Sequence, residues 1–334
     1  MLLAIAAGFG FCSSSSSSEL SSDLLSDNEF NESLQEDAKV SRHWITSPRF
    51  PEKVDFAGEP VPVHFFDIRE SLERELIVNM NFHSNTLQCL KRITRFFPVI
   101  EPILAANDIP DDFKYLSLIE SDYMNKVSPS GATGFWQFMK AAGAECGLEI
   151  SAEVDERYHL EKSTVAACRY LNEAYKVFGN WTMAAASYNM GKGGLSNQVK
   201  RQQCNFYYDL LLSEETMRYI FRIIAVKLIM SNPQEYGFDV PEKERYLPIP
   251  YNEVEVKTGV PNLVEFAFRH QTNYKMLKYL NPWLRDNKLT NASRKAYLIK
   301  IPAENFRGNI DHRIDEKEVE KIEQASEESK LDVK

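Results

Sequence analysis

The sequence predicts a mainly α protein: a helical domain over residues 68–238, then a small α+β module of βααβ order over residues 245–303. Three observations predict it. Apolar residues recur at three-and-four spacing through the long stretch. Alternating apolar and polar runs are scarce before residue 245. Beyond it, two short strand-like runs bracket two short helical patterns. At 334 residues with 43% hydrophobic and 26% charged residues, the chain can build a sizeable core.

Residues 1–18 read as a targeting segment. Residues 2–11 form a ten-residue apolar run without charge, too short for a bilayer span but suited to a signal sequence. Cys12 follows the run directly and allows a lipid anchor, although Phe11 stands where a small residue is usual. Cleavage within the serines of residues 13–18 is the alternative. Either reading places the mature chain outside the cytoplasm.

Residues 19–67 read as linker and arm. Residues 19–40 carry seven acids and one base, the composition of a flexible spacer. Pro48, Pro51, Pro60 and Pro62 predict an extended arm rather than a core element.

The helical stripes come next. They are Leu72, Leu76, Met80; then Leu87, Leu90, Ile93, Phe97; then Val165, Cys168, Leu171, Tyr175, Phe178; then Met217, Ile220, Ile224, Leu228. Pro233 and Pro241 close the domain. In the module, residues 245–250 and 296–302 are the expected strands, and residues 263–270 and 274–280 the expected helices. Residues 304–334 are a charged tail, helical or disordered, with nine acids and five bases from residue 311 onward. A core fragment of residues 68–302 is expected to fold and to carry the chemistry.

The formal charge of −9 belongs to the two ends, and the chain between is close to neutral. That excludes a nucleic-acid role driven by phosphate neutralisation. The five cysteines form no CxxC pair, and the six histidines form no HExxH and no close pair. No metal site is expected. A disulfide among the four cysteines after Cys12 is allowed but not specified.

Four constellations could carry chemistry. Leu116-Ser-Leu-Ile-Glu120-Ser-Asp-Tyr123 puts a carboxylate at the end of an apolar helical run. Partial desolvation there raises a carboxyl pKa toward that of a general acid; the plain alternative is a helix-end Glu in water. Ser130-Gly-Ala-Thr-Gly-Phe-Trp-Gln137-Phe-Met139 combines two turn-forming glycines with aromatic surface and an amide. That suits a sugar ring bearing an acetamido group, or equally a glycine turn before a core Phe-Trp pair. Ala184-Ala-Ala-Ser-Tyr-Asn189-Met-Gly-Lys-Gly-Gly194 reads as a close-packed helix ending at Tyr188 and Asn189 before a Gly-rich loop, with Asn189 an ordinary C-cap as the alternative. Glu214-Glu215-Thr216-Met-Arg-Tyr219 opens a further helix, with acids that suit a helix N-terminus.

In this order, the four resemble the catalytic domain of the soluble-lytic-transglycosylase family, lysozyme-like proteins that cleave peptidoglycan glycan strands. The resemblance covers roughly residues 84–238. Its motifs stand here as Glu120-Ser121, Gly134-Phe135-Trp136-Gln137, Ser187-Tyr188-Asn189-Met190-Gly191 and Glu215-Thr216-Met217-Arg218-Tyr219. Phe135 for Leu and Ser187 for Ala are the departures, and neither removes a polar group. Asp155-Glu156-Arg157 and the exit at residues 233–238 are similar to the membrane-bound lytic transglycosylase D branch.

The resemblance implies a lysozyme-like fold and one essential carboxylate, Glu120, acting as acid and then base. Gln137, Tyr188, Asn189, Glu215 and Tyr219 would line the cleft, with Ser128 and Met139 touching glycan at its margin. The partner would be peptidoglycan glycan strands, with no metal and no organic cofactor. The product would carry a 1,6-anhydro ring. Two other readings stay open: a glycan-binding protein without turnover, and a hydrolytic goose-type-lysozyme-like muramidase using Asp122 or Glu215 to activate water. The module resembles a degenerate LysM, with Gly259-Val-Pro-Asn262 where a G-D-T pattern is usual, as glycan binder or structural cap.

Overall fold

The computed structural model describes residues 47–304, 306 and 316–331. The chain divides into residues 1–47 and a compact unit of residues 48–334, which holds every element described below. The targeting segment, the acidic spacer and Cys12 lie outside the described residues.

The first element is a two-stranded hairpin, β1 (Asp55–Phe56) with β2 (Glu59–Pro60), antiparallel. Its turn residues Ala57 and Gly58 have φ of +55° and +79°, the backbone of a tight hairpin. This corrects the expectation of an arm outside the core. Phe56 is fully buried, Val54 and Val61 flank it, and its ring lies 5.4 Å from Phe113. Proline content marks the segment as non-helical, but it does not forbid burial of the apolar residues between the prolines.

The main body is built, among the described residues, from eight helices: α1 (Phe66–Asn81), α2 (His83–Ala106), α3 (Phe113–Ser121), α4 (Lys140–Glu145), α5 (Leu160–Phe178), α6 (Trp181–Met190), α7 (Lys192–Gln202) and α8 (Glu214–Ser231). Helix α8 is the central one. Ile220, Ile223, Ile224, Ala225 and Ile229 are all fully buried, and α1, α3 and α6 pack on it. A helix apolar on most sides belongs inside. In α6, Ala184, Ala185 and Ala186 are fully buried, so neighbouring backbones approach closely. Leu87 and Tyr175, expected in the stripes, are exposed; small residues such as Ala167 and Ala174 complete the α5 face instead.

The hairpin fastens the far ends of three helices. Glu59 accepts hydrogen bonds from the Trp181 and Thr182 backbone amides, at 2.5 and 2.9 Å, at the start of α6. Asp112, just before α3, accepts from the Ala57 amide and from Lys227 of α8, both at 2.7 Å. A carboxylate at a helix N-terminus satisfies amides without an intrahelical partner.

The module follows the expected order, with β3 (Tyr251–Val256), α9 (Leu263–Arg269), α10 (Tyr274–Leu280) and β4 (Tyr297–Pro302). The strands pair antiparallel from Tyr251 with Pro302 to Val256 with Tyr297. The first strand is therefore not residues 245–250. Pro248 and Pro250 have no amide to give a ladder, so pairing begins after them. Asn262 and Asn273 cap α9 and α10 through their side-chain oxygens.

The module's core is not wholly its own. Val154 and Tyr158 from the main body join Leu263, Leu277, Trp283 and Ile299 in one buried cluster. A further helix, α11 (Glu316–Leu331), occupies the charged tail. Cys89, Cys146, Cys168 and Cys204 are free thiols. Among the described residues no helix is long and apolar enough to cross a membrane.

Candidate active site

Glu120 stands in the last turn of α3. Its helix is anchored from within by Phe113, Leu116 and Leu118, each essentially inaccessible. The helix stops because Asp122 and Tyr123 both take φ of +52°, the left-handed conformation that breaks the ladder. Ser117 and Ser121, one turn apart, both donate to the Phe135 carbonyl, at 3.1 and 2.9 Å. The Ser of the Glu-Ser pair thus stitches the helix end to the glycine-containing segment.

The Glu120 side chain is half-buried, and the Tyr219 hydroxyl donates to its Oε1. Burial pushes its carboxyl pKa up to about 7; the Tyr219 hydrogen bond and the Arg222 charge pull the other way, and Glu215 adds to the rise. A carboxyl poised near neutrality can both give and take a proton.

The segment after α3 is held by glycine and by a buried arginine. Gly134 has φ of +83°, and a Cβ there would sit 1.9 Å from the Arg157 carbonyl oxygen, so no other residue fits. Arg157 donates to the Gly131 and Phe138 carbonyls at 3.3 and 3.2 Å and pairs with Asp155 at 2.7 Å. Phe135 and Trp136 are 6% and 0% exposed, and the Trp136 indole donates to Thr164 at 2.9 Å. Of the two readings left open for this pair, the structure selects core, and the aromatic sugar platform is corrected. Gln137 is held at φ of +48°, and its amide nitrogen donates to the Lys126 and Gly134 carbonyls at 3.1 and 2.8 Å. Ser128 accepts from the Ala132 amide at 3.0 Å and shapes its own loop, while Met139 is 46% exposed at the start of α4.

The end of α6 faces Glu120 from a second side. The Tyr188 hydroxyl donates to the Trp136 carbonyl at 2.8 Å, and its ring packs against Tyr170 and Phe138 at 5.1 and 5.9 Å. Asn189 accepts from the Thr216 hydroxyl at 2.8 Å. It is not the C-cap: α6 runs on to Met190, and Gly191, at φ of +82°, ends it. Nor do residues 191–194 form a loop, since α7 starts at Lys192. Ser187 is fully buried and donates to the Ala184 carbonyl at 2.7 Å, so this departure is accommodated inside the helix.

Helix α8 supplies the third side. Ser213 caps it by accepting from the Thr216 amide. Tyr219 is 2% exposed; Glu215, four residues earlier, has a 58% exposed side chain paired with Arg222 at 3.1 Å. Tyr219 is therefore bonded to the Glu120 carboxyl, Glu215 and Tyr188 lie close enough to act on it electrostatically, and Asn189 is tied to α8 through Thr216, with Gln137 on the segment tied to the Glu120 helix. Ser128 and Met139 lie farther along that loop.

Three participants escaped the sequence reading: Thr216, Tyr170 and Arg157. Thr216 and Arg157 lie within the family motifs, so their presence was visible but their bonds were not. Among the described residues no group of three or more His, Cys, Asp or Glu could hold a metal. A cavity of about 590 Å³ lies beside the hairpin, lined among others by Lys53, Val61 and Arg69, and contains none of the site residues.

Comparison with known proteins matches two stretches of the chain. Residues 99–208 match the transglycosylase SLT domain, and residues 252–305 the soluble lytic transglycosylase C-terminal LysM-like domain. The chain is 27% identical over 180 residues to membrane-bound lytic murein transglycosylase D of Escherichia coli K12, covering 52% of this chain and 39% of that protein. The protein of the same name from Escherichia coli O6:H1 gives the same figures. A putative tributyltin chloride resistance protein of Alteromonas sp. strain M-1 is 33% identical over 88 residues, covering 26% of this chain and 42% of that one. The chain thus spans about two fifths of the length of the curated relatives it matches. Glu120, Ser128, Gln137, Met139, Tyr188 and Asn189 fall inside the SLT match, and Glu75, Glu215 and Tyr219 outside it.

Proposed function

We propose that this chain, an SLT transglycosylase domain with a LysM-like module behind it, is a peptidoglycan lytic transglycosylase. It would cleave the MurNAc–GlcNAc β-1,4 bond and leave 1,6-anhydro-MurNAc ends. The observation that carries the reading is Glu120: one carboxyl, half-buried, raised to about 7, and held by a neutral hydroxyl rather than by a cation.

The chemistry follows from that state. Protonated Glu120 donates to the bridging oxygen as the bond to C1 breaks. Ordinary glycosidases place a second carboxylate across the bond. Here the muramic-acid N-acetyl oxygen takes that role and stabilises C1. Glu120, now a carboxylate, accepts the proton of the sugar's own C6 hydroxyl, whose oxygen attacks C1 and closes the anhydro ring. No water is consumed, and the second step is intramolecular, where proximity gains are largest. In this reading Tyr188 and Asn189 position the acetamido group. Gln137, Glu215 and Tyr219 line the cleft, and Ser128 and Met139 touch glycan at its margin.

Asp122 and Glu215, either of which could give a hydrolase its second acid, are both engaged. Asp122 pairs with Lys126 and accepts from Asn85 at 3.2 Å, and Glu215 pairs with Arg222. That favours the intramolecular route over water activation. A binder without turnover would have no use for a raised carboxyl. A peptidoglycan substrate belongs to the bacterial cell envelope; export and an anchor at Cys12 are part of the same proposal.

Digestion of purified peptidoglycan followed by mass analysis tests it. Products with anhydro ends, lighter by one water than reducing ends, are expected. Reducing ends would establish hydrolysis, and undigested glycan a binding role.

A further inference from the structure

Glu75 is 1% exposed, a burial that carboxylates accept only with partners. It stands on α1, outside the SLT match and outside each of the four family motifs. Its partners are two arginines of α8: Arg218 Nε at 2.6 Å and Arg222 Nε at 3.9 Å.

Those arginines lie on the helix that supplies Tyr219. Glu215, Tyr219 and Arg222 are spaced four and then three residues apart, so they share one face of α8. Glu215 and Arg222 close a 3.1 Å ion pair along that face, and Tyr219 between them donates to Glu120. Arg218 also reaches Glu214, at 3.8 Å. Glu75 therefore completes an ion-pair cluster behind the tyrosine that holds the catalytic carboxyl.

We propose that Glu75 is a positioning residue for the acid–base step: by pairing with Arg218 and Arg222, it holds back the positive charge that α8 presents toward Glu120. The groups facing Glu120 are Tyr219, Arg222 and Glu215 from α8 and Tyr188 from α6. Of these, Arg222 alone is a cation. Freed of Glu75, its guanidinium acts more fully on Glu120 and favours the carboxylate over the acid. The first step needs the acid. Glu75 thus preserves the proton without touching substrate. The alternative is a buried ion pair that merely fastens α1 to α8, which would affect stability and nothing else.

The inference rests on the function proposed for Glu120, and the test separates the two. Glu75→Gln and Arg222→Gln are made in the full chain, each with and without Glu120→Gln. Two quantities are read against pH: release of anhydro ends from peptidoglycan, and the melting difference between each protein and its Glu120→Gln partner. The second reports Glu120 titration without any catalysis. Glu75→Gln is expected to move that titration, and the alkaline limb of activity, to lower pH by roughly half a unit to one unit. Arg222→Gln is expected to move both upward. Opposite displacements support the proposal. Lowered melting with unmoved titration in both variants overturns it, as does movement in the same direction. If the wild type releases no anhydro ends, the function fails while the melting series still decides the role of Glu75. If Glu75→Gln does not fold, the partly exposed Arg222 carries the decision alone: no upward movement overturns the proposal.

Discussion

Glu120 and Glu161 begin from the same circumstance and end far apart. For both, burial is the largest influence on the carboxyl, and it acts upward. Glu120 finishes at about 7 and Glu161 at about 2. The difference is company. Glu161 sits where the main body meets the C-terminal module, 3.1 Å from His159 and paired with Lys300 of β4. Around it the junction is dense with opposite charge: Lys295 reaches Glu149 and Glu156, and Lys162 also pairs with Glu156. Glu120 has a tyrosine hydroxyl, and the cation near it is already engaged by two other carboxylates. Desolvation alone therefore does not raise a carboxyl's pKa; desolvation without a free cation does.

The junction also bears on what the module is. The Asp155 amide donates to the Trp283 carbonyl, and the Arg285 amide to the Glu153 carbonyl, at 2.9 and 2.8 Å. Arg285 lies 3.9 Å over the Tyr158 ring, and Trp283 stacks between His159 and Tyr297. Trp283 and Tyr297 are buried against the main body, while Tyr251, Phe268 and Tyr279 of the module stay exposed. This face of the module is covered by the main body.

Breaking the Glu120 side has the largest expected effect. Glu120→Gln keeps the shape and removes the transferable proton, so turnover should fall by about 10⁴-fold, the upper end for a general acid–base group. The same variant sharpens the comparison through stability. A carboxyl raised in the folded state contributes stability below its ordinary pKa, and loses it as pH rises through about 7. Glu120→Gln should therefore melt higher than wild type above pH 7, with the gap closing in acid. Retained turnover, or a gap that opens in acid, would remove Glu120 from the role.

Asn189→Ala comes next and asks whether the polar groups beside Glu120 serve chemistry. Gly191 ends α6, so no capping loss is expected beyond the bond from Thr216. Turnover at saturating glycan should drop on the order of 10²-fold, as for a lost transition-state hydrogen bond, with glycan binding changed less. Lowered melting with intact turnover would make Asn189 structural.

The smallest effect belongs to the junction and has the opposite pH sign. A carboxyl depressed to about 2 contributes stability above its ordinary pKa and loses it as pH falls. Glu161→Gln should cost about 2 kcal/mol near neutrality, discounted for its partial exposure, and nothing near pH 2. Denaturant titration at the two pH values checks it, and peptidoglycan digestion should be unchanged. If digestion falls as well, the junction reaches the cleft through Arg157, whose carbonyl backs Gly134.

A fragment of residues 68–302 is expected to melt lower than one that begins before the hairpin. Removing residues 54–61 would uncover Phe113 and leave the α6 amides at Trp181 and Thr182 without Glu59.

What could be read from residues alone was whatever neighbours in sequence decide. Helical stripes, the order of the module, the end of α3 at Glu120 and the acidic first turn of α8 depend on a few adjacent side chains and on backbone preference. Their signals survive without knowledge of the fold. The four motifs were legible in the same way, as residue types at fixed spacing. What the chain order hid were pairings between distant positions. Tyr219 lies 99 residues from Glu120, and Arg218 lies 143 from Glu75. Trp136 could have faced a sugar or the core, and only Thr164 and the surrounding helices chose. Phe56 looked like part of an arm until a hairpin laid it against Phe113. Protonation is the extreme case, because a pKa depends on how much water is excluded and which charges remain within a few ångströms. Both are properties of packing, and no local pattern encodes them.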